Sequence, residues 1–446
     1  MKILFLSHYF PPEVNAPASR TYEHCKQWVK MGHDVTVVTC APNHPRGEVY
    51  PGYSNKLCQR EQRDGIKVVR LWTYMTANEG FFKRTLNYVS YMVSAIVAAP
   101  FLPTADAVLS TSPQFFNGLA GYFVSRLKHA RWILEIRDLW PESILIVGAI
   151  KNKWIIRALE YLEMFAYRKA NAIVPVTEAF KCYMVGKGIS EEKIEVVKNG
   201  VDLDFYKVAE GANAMVQELG LSGKFVSSYF GTHGMAHHLE TVLEAAALLR
   251  ERKDILFLLV GDGAERQNLL TLREKGNLDN VMMLDQQPKQ RMPFLWQCSH
   301  VSMVLLKKSD LFKMVIPSKI FESMAMQRPV ILGVEGESRE LIETARSGLC
   351  IEPQNAAELA RCVVELADKP QLCQELGQNG RRYVAEYYDR RVLAAKYEQV
   401  MVRLVSGESA VSNHDLIKVP LSVPVAHPPD CPNDCVQSRA THKLDP

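Results

Sequence analysis

Short apolar runs alternate with longer stretches of helical spacing along most of the chain. Residues 2–6 form the first run, and 35–39, 66–71, 107–110, 132–136, 172–176 and 194–197 follow it. Runs this short and continuous suit strands buried on both faces. Between them, Tyr22, Cys25, Trp28 and Val29 recur at helical spacing within 19–31, and Gly32 stops that helix after a Pro-rich loop over 7–18. A second cycle begins near Lys224, with strands expected at 225–230, 255–260, 281–284, 301–305, 330–332 and 349–351. Within it, Leu239, Val242, Leu243, Ala246 and Leu249 mark one face of a helix over 238–252. This alternation predicts an α/β protein with two successive doubly wound parallel sheets, each covered by helices on both faces.

The expected domains are 1–200 and 201–388, joined by the polar, glycine-containing segment 199–221. Residues 355–385 predict two helices split near Lys369-Pro370, and 389–404 one more. From Ser406 onward Ser, Pro, His and Asp take over, so 406–446 reads as a disordered tail. No repeat of fixed solenoid period is present.

Composition adds little to this picture. At roughly 150 residues per domain, 446 residues suit two or three domains. A net charge of +4 is too weak to argue for nucleic acid. The ten cysteines have no disulfide-like rhythm and read as free thiols of a reducing cytosol. No metal set is expected from Cys431 and Cys435, or from His233, His237 and His238, because no further ligands complete them. The N-terminus lacks the long apolar region of a secretory signal, so a cytoplasmic location is expected.

One segment bears on membranes. Residues 85–105 carry no charge and follow Lys83 and Arg84, but Asn87, Ser90, Tyr91, Ser94, Pro100 and Pro103 dilute them. Three readings stay open: a buried helix, a helix dipping into one bilayer face with Lys83 and Arg84 at the headgroups, and a membrane span.

Ligands of open parallel sheets sit beyond the carboxyl ends of strands, so chemistry is sought there. The first such end runs from Ser7 through Asn15 into a helix and is not G-x-G-x-x-G, which removes a dinucleotide fingerprint. The next, Glu135-Ile136-Arg137-Asp138-Leu139-Trp140-Pro141-Glu142, places charges after a buried strand, where they need partners or a ligand. Asp138 and Glu142 could do acid–base or hydroxyl-positioning work there, or pair with Arg137 to close the loop. Gly231-Thr232-His233-Gly234 and Gly261-Asp262-Gly263 each make a glycine turn from strand to helix, able to cradle phosphate or simply to connect.

The most informative run is Ile316-Pro317-Ser318-Lys319-Ile320-Phe321-Glu322. Pro317 and Ser318 read as a helix start. Lys319 in the first turn is unfavourable unless an anion is present, and Glu322, three residues on, shares its face. Lys319 can meet a diphosphate, and Glu322 can accept from two ribose hydroxyls.

With Gly261–Arg266, 317–325, the spacing between them, and Arg-Asp-Leu-Trp-Pro-Glu-Ser at 137–143, the chain resembles the retaining family 4 glycosyltransferases of the GT-B fold over nearly its whole length to about Leu404. Within that family it is most similar to bacterial enzymes of O-antigen, capsule or exopolysaccharide assembly, including those like the fucosamine transferase. The resemblance implies two Rossmann-like domains around a cleft, a UDP-linked sugar on the second, and a saccharide or polyprenyl-linked saccharide acceptor on the first. No cofactor or metal is implied, and the last helix would cross back onto the first domain.

Matched residue by residue, the resemblance implies nucleotide contacts at Gly231, Thr232, Gly234, Gly261, Asp262, Gly263, Ser318, Lys319 and Glu322. It implies acceptor-side positions at Asn15, Arg137, Asp138 and Glu142, with Asp138 and Lys319 catalytic. Three departures stand out. Met314 replaces a frequent glutamate, Thr232, His233, His237 and His238 occupy a loop that often holds Arg and Lys, and a frequent histidine near Arg137 is missing. A sugar-nucleotide 2-epimerase on the same fold and a non-catalytic scaffold of polysaccharide assembly are the alternative readings.

Overall fold

The computed structural model describes residues 1–44, 47–76, 81–112, 114–146, 152–207 and 212–407. Its apolar runs pair into two sheets. The first holds β1 (Lys2–Leu6), β2 (Asp34–Cys40), β3 (Cys58–Arg63), β4 (Ile66–Leu71), β5 (Ala107–Thr111), β6 (Arg131–Ile136) and β7 (Ala172–Pro175), in the order β3-β4-β2-β1-β5-β6-β7. Among the described residues only β3 pairs antiparallel. The second holds β8 (Phe225–Phe230), β9 (Ile255–Val260), β10 (Val281–Leu284), β11 (Val301–Leu305), β12 (Val330–Gly333) and β13 (Gly348–Cys350), all parallel, in the order β10-β9-β8-β11-β12-β13.

Without β3, both sheets run third, second, first, fourth, fifth, sixth. The direction of winding reverses between β1 and β5 in one and between β8 and β11 in the other. Those switch points are where ligands of doubly wound sheets bind.

The helices of the first half are α1 (Ala16–Lys30), α2 (Phe81–Ala98), α3 (Phe115–Lys128), α4 (Glu142–Ile146), α5 (Lys153–Lys169) and α6 (Glu178–Gly186). Then come α7 (Ala212–Glu218), α8 (Glu240–Leu248), α9 (Arg266–Lys275), α10 (Met292–Cys298), α11 (Lys319–Ala325), α12 (Glu337–Ala345), α13 (Ala356–Asp368), α14 (Pro370–Tyr387) and α15 (Arg390–Ser406). They cover both faces of each sheet, as the alternation of side chains requires. On β1, Ile3 and Phe5 join the core beneath α1 and α15, whereas Leu4 and Leu6 join the core beneath α2 and α3. On β9, Leu258 and Val260 face one core and Phe257 and Leu259 the other.

α15 returns to the first sheet. Trp28 of α1, fully buried, donates from Nε1 to Ala394 O at 2.9 Å, and Arg403 pairs with Glu195 at 2.7 Å. The segment expected as a linker is itself packed, since Val201, Leu203, Tyr206, Met215 and Leu221 are buried in the core of the second sheet.

Several expectations change. α1 starts at Ala16, not Ser19, because Asn15 Oδ1 accepts from Ala18 N at 2.8 Å and Pro17 suits the first turn. β3, whose CQREQR reads as polar, was not expected; it is a half-exposed edge strand. Residues 194–197 are not a strand of the sheet but a single bridge from Ile194 to Ile173. α8 is shorter than 238–252, with His238 left-handed at φ +46 just before it. The membrane-span reading of 85–105 does not hold: no helix among the described residues is long and apolar enough. Most of the expected tail, 408–446, lies outside the described residues.

Candidate functional site

The second switch point is built around Lys319. α11 opens at Lys319, and Ser318 before it has helical angles with no side-chain capping bond. Lys319 Nζ is buried, has no hydrogen-bond partner, and lies 3.5 Å from the centre of the Tyr229 ring. An ammonium carries three donors, and a ring face replaces only part of its hydration. Burial therefore pulls the Lys319 pKa from 10.5 to about 7, and Glu322 opposes this only in part.

The strand ends around Lys319 explain their glycines. Gly231 (φ +143) ends β8, and a Cβ there would stand 2.9 Å from Lys319 Nζ. Gly261 (φ +154) ends β9, and a Cβ there would overlap the Gly231 carbonyl. The two loops are laced together: His233 N–H donates to Asp262 O, and Glu265 N–H donates to His233 O, each at 2.9 Å. Asp262 Oδ1 accepts from Gly263 N at 2.8 Å, and the Tyr229 hydroxyl donates to Thr232 O at 2.8 Å. Gly234 sits between the Thr232 and His237 side chains.

Two histidines complete this wall. His233 is fully buried, and neither ring nitrogen has a partner. Burial, then Arg266 and Lys319, lower its pKa to about 4. Burial, then Lys319, lower that of His237 to about 3. Both are neutral at pH 7, so the loop offers imidazoles where resemblance led one to look for cations. Unmatched buried nitrogens, with no carboxylate bonded to Lys319 Nζ, suit an anion.

Glu322, one turn along α11, faces the first half of the chain. Burial raises its pKa, while Lys289 and the donating Tyr206 hydroxyl pull it down. Lys289 in turn pairs with Glu23 of α1 at 2.8 Å, and Glu23 pairs with Arg390 at 2.9 Å. Burial opposes ionisation of Glu23, but Arg390 and Lys289 outweigh it and hold its pKa below the usual range. The Glu322 carboxylate thus lies beside a buried ionic clamp between the two halves. Sequence patterns did not show this clamp, because its members lie far apart along the chain.

In the first sheet, Glu135 at the end of β6 accepts from Arg20 Nε at 2.8 Å and from Thr111 Oγ1 at 2.6 Å. Arg20 also ties down the carbonyls of Val197 and Lys198. An arginine on the buried face of α1 opposite a glutamate in an apolar strand is the signal that could have found this pair. Arg137 follows, half-buried, with Nε and one terminal nitrogen shielded from solvent and unbonded, and desolvation lowers its pKa to about 9. Ser112 Oγ accepts from the backbone N–H of Arg137 and Asp138, at 2.6 and 3.2 Å. Burial raises the Asp138 pKa to about 6, against the opposing pull of the nearby Ser143 hydroxyl and Leu139 N–H. Asp138 lines a mostly apolar pocket with Ser112, Phe115, Trp140 and Tyr167.

The expected residues therefore fall into separate groups. Gly231, Thr232, Gly234, Gly261, Asp262, Gly263 and Lys319 form one continuous wall, with Ser318 and Glu322 on the same helix. Arg137 and Asp138 sit at the end of β6. Glu142 Oε1 is taken by the Tyr183 hydroxyl and by Lys187 Nζ, which also holds Glu163 at 2.8 Å. Asn15 Oδ1 is occupied as the cap of α1, while its Nδ2 is buried without a partner. Met314 lies on a 3-10 turn and packs toward the first half of the chain. Among the described residues no group of three or more His, Cys, Asp or Glu side chains could hold a metal ion.

Two doubly wound sheets, with a buried unpartnered ammonium at the second switch point, are the architecture expected of a GT-B glycosyltransferase, and comparison with known proteins agrees. The Glycosyl transferase 4-like domain family matches residues 15–200, and the Glycosyl transferases group 1 family matches residues 215–383. WcaI of Escherichia coli (strain K12), a glycosyl transferase named for colanic acid biosynthesis, is 25% identical over 370 residues, covering 80% of this chain and 90% of its own. Sucrose-phosphate synthase from Thermosynechococcus elongatus superimposes with a TM-score of 0.73 at 17% identity, over 91% of this chain and 99% of its own. Anabaena Alr3699/HepE in complex with UDP-glucose does so with a TM-score of 0.68 at 16% identity, over 90% and 99%. The chain belongs to glycosyltransferase family 4.

Proposed function

We propose that this glycosyltransferase moves a sugar, N-acetylated amino sugars included, from a UDP-linked donor to a saccharide or polyprenyl-linked saccharide in cell-surface polysaccharide synthesis, with retention at the anomeric carbon. The observation that carries the donor site is Lys319: a buried ammonium with no partner, facing two glycine turns. A diphosphate supplies the missing acceptors. The relatives lend support, since WcaI is named for colanic acid biosynthesis and HepE was solved with UDP-glucose. A lipid-linked acceptor would bring the enzyme to the cytoplasmic face of the inner membrane.

In this reading Glu322 accepts from the ribose hydroxyls, and Lys319, Ser318 and the loops 231–234 and 261–263 hold the phosphates. As the anomeric carbon–oxygen bond breaks, charge grows on the departing phosphate, where Lys319 is already placed. The acceptor hydroxyl, oriented by Asp138, forms its bond on the same face and passes its proton to the leaving phosphate oxygen. Closure of the cleft aligns the partners and excludes water.

Calorimetry with UDP tests the donor site. Glu322→Gln, which keeps the shape but weakens acceptance from two hydroxyls, should lower UDP affinity by about 10-fold or more, at 1.5–3 kcal/mol per charged hydrogen bond. Unchanged affinity would remove Glu322 from the ribose.

A further inference from the structure

Three helices of the first half turn an apolar surface outward. α2 fastens its inner face to the sheet through polar groups as well as through buried Ala95: Asn87 Nδ2 donates to Tyr74 O at 2.6 Å, and the Tyr91 hydroxyl donates to Val38 O at 2.7 Å. Its outer face is apolar instead. Phe82, Leu86, Val93 and Val97 recur at helical spacing, and Phe82 is 80% exposed and Val97 66%. Just past the helix, Phe101 is 77% exposed. A helix facing water would carry its polar residues on that side.

The neighbouring helices continue the surface. α2 and α3 share the core around Ala95, Ala120 and Val124, and α3 exposes Phe123 and Leu127. Leu159 of α5 packs with Tyr88 of α2 and Phe116 of α3, and α5 exposes Trp154 at 76%. Monomeric proteins rarely leave so much adjoining apolar area uncovered.

Charge identifies the occupant. α2 carries Lys83 and Arg84, and α3 carries Arg126 and Lys128, with no acidic residue on either. α5 carries Lys153, Arg157, Arg168 and Lys169 against Glu160 and Glu163, and Glu163 is buried against Lys187. The whole chain is nearly balanced, at +4, so this bias is local. A second copy docked through the same face would set these basic residues against each other. Apolar side chains on helices that also carry an excess of Lys and Arg match the boundary of an anionic bilayer. No helix among the described residues crosses a membrane, so the protein would lie on it.

We propose that the joined outer faces of α2, α3 and α5, with Phe101, are a docking surface for an anionic phospholipid bilayer. The proposal deepens the lipid-linked acceptor reading and rests on it for its purpose. The surface lies in the same half of the chain as Asp138, and α3 and α5 also supply Phe115 and Tyr167 to the pocket beside that carboxyl. Docking there sets the acceptor side of the enzyme against the lipid.

Vesicle flotation of the full chain tests this, with UDP calorimetry run in parallel. Vesicles of phosphatidylglycerol and phosphatidylcholine should bind at least about 10-fold more protein than phosphatidylcholine alone, and added salt should weaken binding. Val97→Glu with Phe101→Glu should cut binding about 10-fold or more, with melting temperature and UDP affinity unchanged. Lys83→Ser with Arg84→Ser should cut it several-fold, and decides the matter if the first variant misfolds. Equal flotation on both vesicle types, wild-type binding by the variants, or a wild-type dimer that the glutamates dissociate would overturn the proposal. Retained UDP binding in that event would leave the donor-site reading standing.

Discussion

Lys319→Met should stabilise the ligand-free protein while removing its donor affinity. Lys319 has a folded pKa near 7 against 10.5 when exposed. At about 1.4 kcal/mol per pKa unit, and with Lys319 already half neutral in the folded protein at pH 7, confining this side chain costs roughly 4 kcal/mol there. The contact with the Tyr229 ring, 3.5 Å away, returns about 0.5–2 kcal/mol. Methionine fills similar space without charge, so a net gain of roughly 3 kcal/mol is expected at pH 7. The sign with pH follows from the lowered pKa. Between about 7 and 10.5 the folded wild type binds fewer protons than the unfolded chain, so its stability rises with pH and the advantage of Met shrinks. Urea titrations at pH 7 and pH 9.5 measure this, and the gap should fall by about 3 kcal/mol between them. UDP should raise the midpoint of the wild type and not that of the variant. A variant less stable than wild type at pH 7, or a gap that does not change with pH, would refute the reasoning.

Other consequences are independent of that one. UDP binding should recharge Lys319, so at pH 8 calorimetry in two buffers of different ionisation enthalpy should show uptake of nearly one proton, and affinity should weaken as pH rises. Asp138→Asn should lower kcat while leaving UDP affinity alone, and should abolish an acid limb near pH 6, the pKa to which burial raises this carboxyl. Glu23→Gln should destabilise by about 3–5 kcal/mol, because Arg390 would lose its carboxylate inside the clamp; thermal unfolding reads this directly.

Buried parallel strands are legible in a sequence because both of their faces are apolar. That is why β1, β8, β9 and β11 could be placed within a residue or so. β3 was hidden for the converse reason: an edge strand facing solvent has no need of an apolar pattern, and CQREQR has none. The start of α1 was obscured by its prolines, although Asn15 followed by Pro17 is a sound capping signal. At the site, three-residue spacing already put Lys319 and Glu322 on one helix face. The isolation of Lys319 was not legible, since it depends on Tyr229 and His233, which belong to a strand and a loop roughly 90 residues earlier. The Glu23–Arg390–Lys289 clamp was invisible for the same reason. Charged residues on apolar helix faces showed only that partners were needed, not which.

Transfer itself is the most direct test. Purified enzyme is incubated with a panel of UDP-sugars and a polyprenyl-linked saccharide extract, and released UDP and the anomeric configuration of the product are measured. UDP release should require the acceptor, the product should keep the configuration of the donor, and Lys319→Ala should lower turnover about 100-fold or more. UDP released together with a 2-epimer and without acceptor, or an alanine variant with wild-type turnover, would contradict the account.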